Sequence, residues 1–245
     1  MTQDKLKVFI GYDSRETIAW QVCQHSLLRH AKTEVEIYPI KQQTLRELGL
    51  YTRPRDATAS TEFSLTRFLT PYLAAHDGWT VFVDCDVLFT TDINKVVEGL
   101  DRSKAVHVVQ HDYTPANRVK MDAQTQTTYP RKNWSSFMLF NNAHPVVKAL
   151  TPHVVNLASP AFLHRLQWVP DDSLIGALPR TWNFLVGEYA KPAELPHAIH
   201  FTNGGPWFEN WKQVDYADLW CAERDLYLAG REVANAEPGA RGMVG

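Results

Sequence analysis

The chain reads as an α/β protein whose mostly parallel sheet is flanked by helices, and three observations predict this. Residues 7–12 and 35–38 read as buried strands, and the stretch between them places Trp20, Cys23, Leu27 and Ala31 at helical spacing. Strand, helix, strand is the unit from which parallel sheets with crossover helices are built. A third apolar run, Val81-Phe82-Val83, ends in Asp84-Cys85-Asp86, as the first ends in Tyr12-Asp13. Ligands of such sheets bind beyond the carboxyl ends of the strands, so both endings belong to a cleft.

The remaining elements follow in order. Polar Asp13-Ser14-Arg15-Glu16 leads into a helix over 17–31. Residues 42–60 are polar and carry Arg53-Pro54-Arg55, which predicts a short helix and a loop near the cleft rim. A helix is expected over 62–73, with Pro71 at a bend or an end. After the Asp-x-Asp strand come a short helix over 93–100 and a strand over 105–110. Residues 112–133 lack apolar periodicity, which predicts a mobile loop over a substrate, and 136–141 is again a strand. Helices are expected to dominate from Pro145, over 146–158 and 161–166, with Asp171-Asp172 opening a short helix that ends before Pro179. The segment 234–245, with one Pro and three glycines, reads as a flexible tail behind a single domain over 1–233. A chain of 245 residues with 44% hydrophobic content suits one large domain with a sizeable core.

Composition excludes several classes. A formal charge of −2 with mixed signs offers no basic field to a nucleic-acid backbone. The three cysteines, Cys23, Cys85 and Cys221, lack zinc-site spacing and fit reduced thiols in a cytoplasmic protein. The N-terminal apolar stretch is too short for a secretory signal, and no window approaches the ~18 apolar residues of a membrane helix. Peripheral association with a membrane stays open.

Two aspartates one residue apart at a strand end can both turn toward one hard divalent cation, leaving its other positions to a substrate's phosphates. Taken alone, an Asp-x-Asp pair also reads as a solvated turn; its place after an apolar strand favours the cation.

Several segments between residues 7 and 207 together resemble glycosyltransferase family 8, retaining enzymes of the GT-A, nucleotide-diphospho-sugar transferase fold. Val8-Phe9-Ile10-Gly11-Tyr12-Asp13 is similar to that family's first strand, whose end contacts the nucleoside, which implies donor-binding roles for Gly11, Tyr12 and Asp13. Arg67 resembles the helix arginine that reaches the donor's phosphate and sugar region. Phe82-Val83-Asp84-Cys85-Asp86 resembles the metal-binding Asp-x-Asp, with Cys85 also at the donor. Asn133-Trp134-Ser135-Ser136-Phe137-Met138-Leu139-Phe140-Asn141 is similar to the family's Asn-Ser-Gly-Val-Met-Leu-Ile-Asn strand, which assigns Asn141 to the donor. Asp171-Asp172-Ser173 resembles Asp-Gln-Asp, followed by Leu178-Pro179-Arg180-Thr181-Trp182-Asn183. His200-Phe201-Thr202-Asn203-Gly204-Gly205-Pro206-Trp207 resembles the closing His-Phe-x-Gly-x-x-Lys-Pro-Trp, one residue shorter and without the lysine. Gly204 would then approach the donor and His200 complete the metal site. Arg131, Lys132 and Lys212 are the nearby cations that could replace the lysine.

The resemblance implies a metal-dependent transferase that moves a hexose from a nucleoside-diphosphate sugar, a UDP-hexose above all, to a glycan or glycoconjugate acceptor with retention. Asp84, Asp86 and His200 would hold Mn²⁺ or Mg²⁺, the imidazole tilting the choice to Mn²⁺. Asp171 and Asp172 would meet the sugar, Asp172 in the position of the family's glutamine; the pair reads equally as a helix N-cap. Two alternatives compete: a haloacid-dehalogenase-like phosphohydrolase, which also places Asp-x-Asp after an apolar strand but at the start of its domain, and an inactive nucleotide-sugar-binding protein.

Overall fold

The computed structural model describes residues 5–56, 59–112 and 130–236. Strand β1 (Leu6–Gly11) leads through a 3-10 turn, Ser14–Glu16, into helix α1 (Thr17–His30), which returns the chain to strand β2 (Val35–Ile40). Helix α2 (Gln42–Glu47) follows. The helix expected over 62–73 shrinks to a 3-10 turn, Thr66–Leu69, continued by helix α3 (Thr70–Leu73), with Pro71 in its first turn, where a missing N–H costs nothing. Strand β3 (Trp79–Val83) delivers Asp84 at its end and strand β4 (Val87–Phe89) leaves from Asp86. The helix expected over 93–100 is a 3-10 turn, Ile93–Val97, capped by Asp92. Strands β5 (Val106–Val108) and β6 (Phe137–Asn141) come next. Of the loop expected over 112–133, residues 113–129 lie outside the described ones.

Helices α4 (Pro145–Lys148), α5 (Pro152–Leu157) and α6 (Pro160–His164) share one local design. Each opens on proline behind a capping side chain, His144, Thr151 or Ser159, which accepts from a backbone N–H of the first turn. The short helix expected at Asp171-Asp172 is a single 3-10 turn, Asp172–Leu174, and the chain then enters strand β7 (Ile175–Ala177) rather than continuing helical to Pro179. Strands β8 (Phe184–Leu185) and β9 (Ala198–His200) are too short to show periodicity in the sequence. Helix α7 (Ala217–Ala236) runs into the segment expected as a tail, and 237–245 lie outside the described residues.

The main sheet has the order β2-β1-β3-β6-β5-β7. Only β6 runs against the others, pairing antiparallel with β3 and β5; the rest of the sheet is parallel. Helices cover it, and buried Val8, Ile10, Val81, Phe82, Phe137 and Leu139 form its core. A second sheet, β4-β9-β8, closes beside it. Its own core, built on Phe184, Ile199, Phe201 and Trp220, lies against α7. Glu223 of α7 accepts from Arg29 and His25 of α1, which ties the two helices together.

Candidate metal centre

The pairing of the small sheet assembles the site. β4 starts one residue after Asp86, and β9 lies antiparallel to it with Val87 opposite His200. The Phe201 amide donates to the Asp86 carbonyl at 3.0 Å, which locks the register. His200, remote in sequence, is therefore delivered beside the aspartates. One ligand atom each from Asp84, Asp86 and His200 lies within 4.8 Å of the others, and His200 Nε2 is 3.2 Å from Asp86 Oδ1. Two carboxylate oxygens and an imidazole nitrogen form a donor set that suits a divalent cation of the Mn²⁺ or Mg²⁺ class. Cys85, in the turn between the aspartates, packs into the hydrophobic core. Its thiol is buried, and burial followed by the charges of Glu16, Asp86 and Asp84 pushes it well above the ordinary range, so it offers the site only its backbone.

Arg67 is buried, not a solvated helix charge. It donates to Asp84 Oδ1 at 2.7 Å, to the Ser135 carbonyl at 2.9 Å and, from Nε, to the Ser64 carbonyl at 3.0 Å. Its guanidinium lies over the adjacent rings of Phe63 and Phe82, 5.2 and 5.0 Å from their centroids. Behind Ser135 sits His164, bonded to the serine hydroxyl at 2.9 Å and held neutral, its value lowered to about 3 by burial and then by Arg67. The Asp84 amide donates to the Ser136 carbonyl, so β6 also holds the ligand loop.

The first-strand residues are placed close by, with roles of their own. A Cβ on Gly11 would stand 2.4 Å from the Phe63 ring, so glycine here lets Phe63 pack. Tyr12 lies beneath Lys41 Nζ at 4.7 Å and bonds Thr17 through its hydroxyl. The Asp13 carboxylate caps the 3-10 turn: it accepts from the Arg15 backbone and side chain and from the Glu62 amide. Burial would raise it, but these hydrogen bonds outweigh burial and hold it below the usual carboxylate range. Gly204 has φ +130°, and a Cβ there would meet the Trp211 indole at 2.9 Å.

Asn141 and the Asp171-Asp172 pair stand apart from the three ligands along the sheet. Asn141 pairs with Trp79 at the start of β3, whereas Phe137 pairs with Val83 next to Asp84. With ~3.4 Å per residue, Asn141 stands more than 13 Å along the strand from the ligand end. Its amide donates to the carbonyls of Arg102 and Lys104. The antiparallel direction of β6 is the reason for its position: it turns the last residue of the motif away from the cleft. Asp171 and Asp172 precede β7, whose first residue pairs with Val106 toward that same far end. Asp171 accepts from the Ser173 amide at 2.8 Å as the cap of its turn. Exposed Asp172 pairs with Arg131 at 2.6 Å. Neither contacts the three ligands through these bonds.

Three buried polar residues that the sequence reading passed over surround the centre. Asn183 is fully buried, with Oδ1 2.8 Å from His200 Nδ1. His111 lies on its other side, 3.0 Å away; burial first, then the charges of His200 and Arg180, lower it to about 3. Glu16, only 1% exposed, is raised to about 9 by burial and then by the charges of Asp86 and Asp13. The Trp207 indole lies near enough to moderate that rise without reaching hydrogen-bond geometry. The signal for Asn183 was present: an amide set in the apolar run Trp182-Asn183-Phe184-Leu185-Val186 must find partners in the core.

The sequence matches no family model. It is 49% identical over 225 residues to the Arabidopsis thaliana protein named Protein CDI, a match that covers 90% of this chain and 86% of the plant protein. The chain belongs to the family of Protein CDI. The fold of this CDI-family chain is shared with solved glycosyltransferases. The bifunctional glycosyltransferase WbbM superposes with a TM-score of 0.63 at 16% identity, over 91% of this chain and 50% of WbbM, so the chain spans half of that protein. The glycosyltransferase GlyE of Streptococcus pneumoniae gives 0.61 at 14% identity, over 99% of this chain and 67% of GlyE. The galactosyltransferase LgtC, solved with donor and acceptor sugar analogues, gives 0.56 at 10% identity, over 89% of this chain and 95% of LgtC. At these identities the likeness establishes the fold, which is GT-A. In this CDI-family chain the Asp-x-Asp strand is third along the chain and third in the sheet, which does not favour the phosphohydrolase alternative. Among the described residues no helix is long and apolar enough to cross a membrane.

Proposed function

We propose that this protein is a metal-dependent glycosyltransferase that moves a hexose from a nucleoside-diphosphate sugar, most specifically a UDP-hexose, to a glycan or glycoconjugate acceptor with retention. The observation that carries the reading is the convergence of Asp84, Asp86 and His200 within 4.8 Å at the carboxyl end of β3, in a GT-A fold. A cation bound there supplies Lewis-acid stabilisation of the departing diphosphate. The chain's own residues do the rest. Arg67 holds the Asp84 carboxylate in place while its guanidinium stays desolvated against two rings. Tyr12, under Lys41, offers an aromatic face at the end of β1, where the base of the donor would rest.

On this reading Asp172, which the register of β7 sets apart from the three ligands but which Arg131 ties back toward them, is the carboxylate that steadies positive charge on the sugar, as carboxylates do in glycoside cleavage. Arg131 supports the assignment, because it joins Asp172 to the segment that runs through Ser136 to the Asp84 amide. Asp171 keeps the turn in shape. Arg131 and Lys132 are the cations nearest in sequence to this segment and take the place of the absent lysine at the diphosphate.

The test is thermal stabilisation by UDP with and without Mn²⁺, followed by a panel of nucleotide sugars scored for Mn²⁺-dependent hydrolysis. Stabilisation that needs both UDP and Mn²⁺, lost in Asp84→Ala and Asp86→Ala, is expected. Unchanged donor binding in both variants would refute the site, and binding without any turnover across the panel would refute the enzymatic reading.

A further inference from the structure

We propose that Asn183 is a positioning residue that fixes the tautomer of His200 and thereby turns a bare imidazole nitrogen toward the cation; the cation half of this inference rests on the reading above. The argument starts one bond away, at Ser136. Its hydroxyl lies 2.7 Å from the Asn133 carbonyl, which can only accept, so the hydroxyl proton is committed there. Toward Asn183, 2.8 Å away, Ser136 Oγ can then only accept. The Asn183 side-chain nitrogen must face it, and the same NH₂ group reaches His111 Nε2 at 3.0 Å. With both amide protons directed at Ser136 and His111, the carbonyl Oδ1 is the atom that meets His200 Nδ1 at 2.8 Å.

Each partner's remaining valence then follows. Oδ1 cannot donate, so His200 carries its proton on Nδ1. In the neutral ring the lone pair is then on Nε2, and it is this atom that stands 3.2 Å from Asp86 Oδ1 inside the ligand cluster. His111, accepting at Nε2, donates from Nδ1 to the Tyr189 hydroxyl at 2.9 Å. Its neutral state agrees with its burial. The Tyr189 ring stacks on His111 and lies under the Arg180 guanidinium at 4.3 Å, which holds the outer end of the chain. Metal-binding histidines generally need such a partner on the second nitrogen to set tautomer and ring orientation. Here the partner is an amide, itself oriented by a serine and a second histidine. Because Asn183 is fully buried, the amide has no solvent to turn toward.

The experiment has two arms. In metal-free, ¹⁵N-histidine-labelled protein, two-bond ¹⁵N–¹H correlation reads the tautomer of each ring, and His200→Gln identifies the signal. The expected result is Nδ1–H for His200 in the wild type; Nε2–H there overturns the proposal even if no Asn183 variant folds. In the second arm, electron paramagnetic resonance of free Mn²⁺ reads affinity. Asn183→Ala is expected to weaken Mn²⁺ about 10–100-fold, the usual effect of losing such a partner. Asn183→Asp, which keeps an acceptor for Nδ1–H but loses the NH₂ that Ser136 and His111 accept from, is expected to bind Mn²⁺ more tightly than Asn183→Ala, a rescue that a purely structural role would not give. A folded Asn183→Ala with wild-type affinity overturns the proposal. Wild-type protein that shows Nδ1–H but binds no Mn²⁺ overturns the cation reading and leaves the tautomer assignment standing.

Discussion

Replacing Glu16 by Gln isolates the electrostatic strain under the metal centre. Glu16 is raised from 4.5 to about 9, first by burial and then by the charges of Asp86 and Asp13. A carboxyl whose value rises on folding must take up a proton as the chain folds. Its contribution to stability therefore falls steadily as pH climbs from about 4.5 toward 9 and is level outside that window. Gln mimics the neutral acid at every pH and removes this slope. Between pH 5.5 and 8, full linkage over 2.5 units at 1.36 kcal/mol each gives about 3.4 kcal/mol. Relaxation in a medium of effective dielectric near 20 brings a working figure to about half, ~1.5–2 kcal/mol. At about 2–4 °C per kcal/mol for a chain of this size, the melting temperature of Glu16→Gln should gain about 3–8 °C on wild type between those pH values. Paired melting curves in chelator measure this, and the difference between the two proteins cancels every other titrating group. Added Mn²⁺ should shrink the gap, because the Asp86 charge is part of what raises Glu16. A gap that is the same at both pH values, or a Gln variant less stable than wild type at pH 8, would refute the reasoning.

Three further outcomes are expected. Arg67→Ala leaves Asp84 without its buried partner and should cost about 3–5 kcal/mol in urea unfolding, and Arg67→Lys should recover only part of this, because ammonium cannot satisfy three acceptors against two rings. Asp172→Asn should lower turnover at least ~100-fold while UDP binding is kept, whereas Asp171→Ala should lose about 1 kcal/mol of stability as a lost cap with little effect on turnover; a wild-type rate for Asp172→Asn removes its catalytic role. Burial raises Glu223, but hydrogen bonds from Arg29 and His25 outweigh it and leave it below the usual range, so its stabilisation is full above the unfolded value near 4.5 and is lost as pH falls through the lower folded value. Glu223→Gln should accordingly weaken hydrogen-exchange protection in α7 at pH 7 and matter much less below pH 4.

The sequence showed the first half of the molecule more clearly than the second, for physical reasons. β1, α1, β2 and β3 announce themselves because buried elements of five to fourteen residues repeat their pattern long enough to be seen. β4, β8 and β9 have two or three residues each, too few for any period. The direction of β6 is not written in its side chains, since an apolar strand looks the same read either way, and that is why Asn141 lies at the end of β6 away from Asp84. At the centre, Asp84 and Asp86 were visible as adjacent charges, and His200 only through a resemblance. Asn183, His111 and Glu16 stayed hidden because their meaning depends on burial: Glu16 looked like one more polar residue in a connecting turn.

The pairing of β4 with β9 has a consequence for the protein's history as well as its shape. Two three-residue strands from distant parts of the chain must meet before the aspartates and the histidine face one another. No N-terminal fragment of a growing chain that stops short of His200 possesses the third ligand, however well its first sheet has formed. On the proposed reading, tight binding of an ion is thus a late event, available only to a chain whose second sheet has closed, and a cation in the medium would favour finished molecules over unfinished ones during folding.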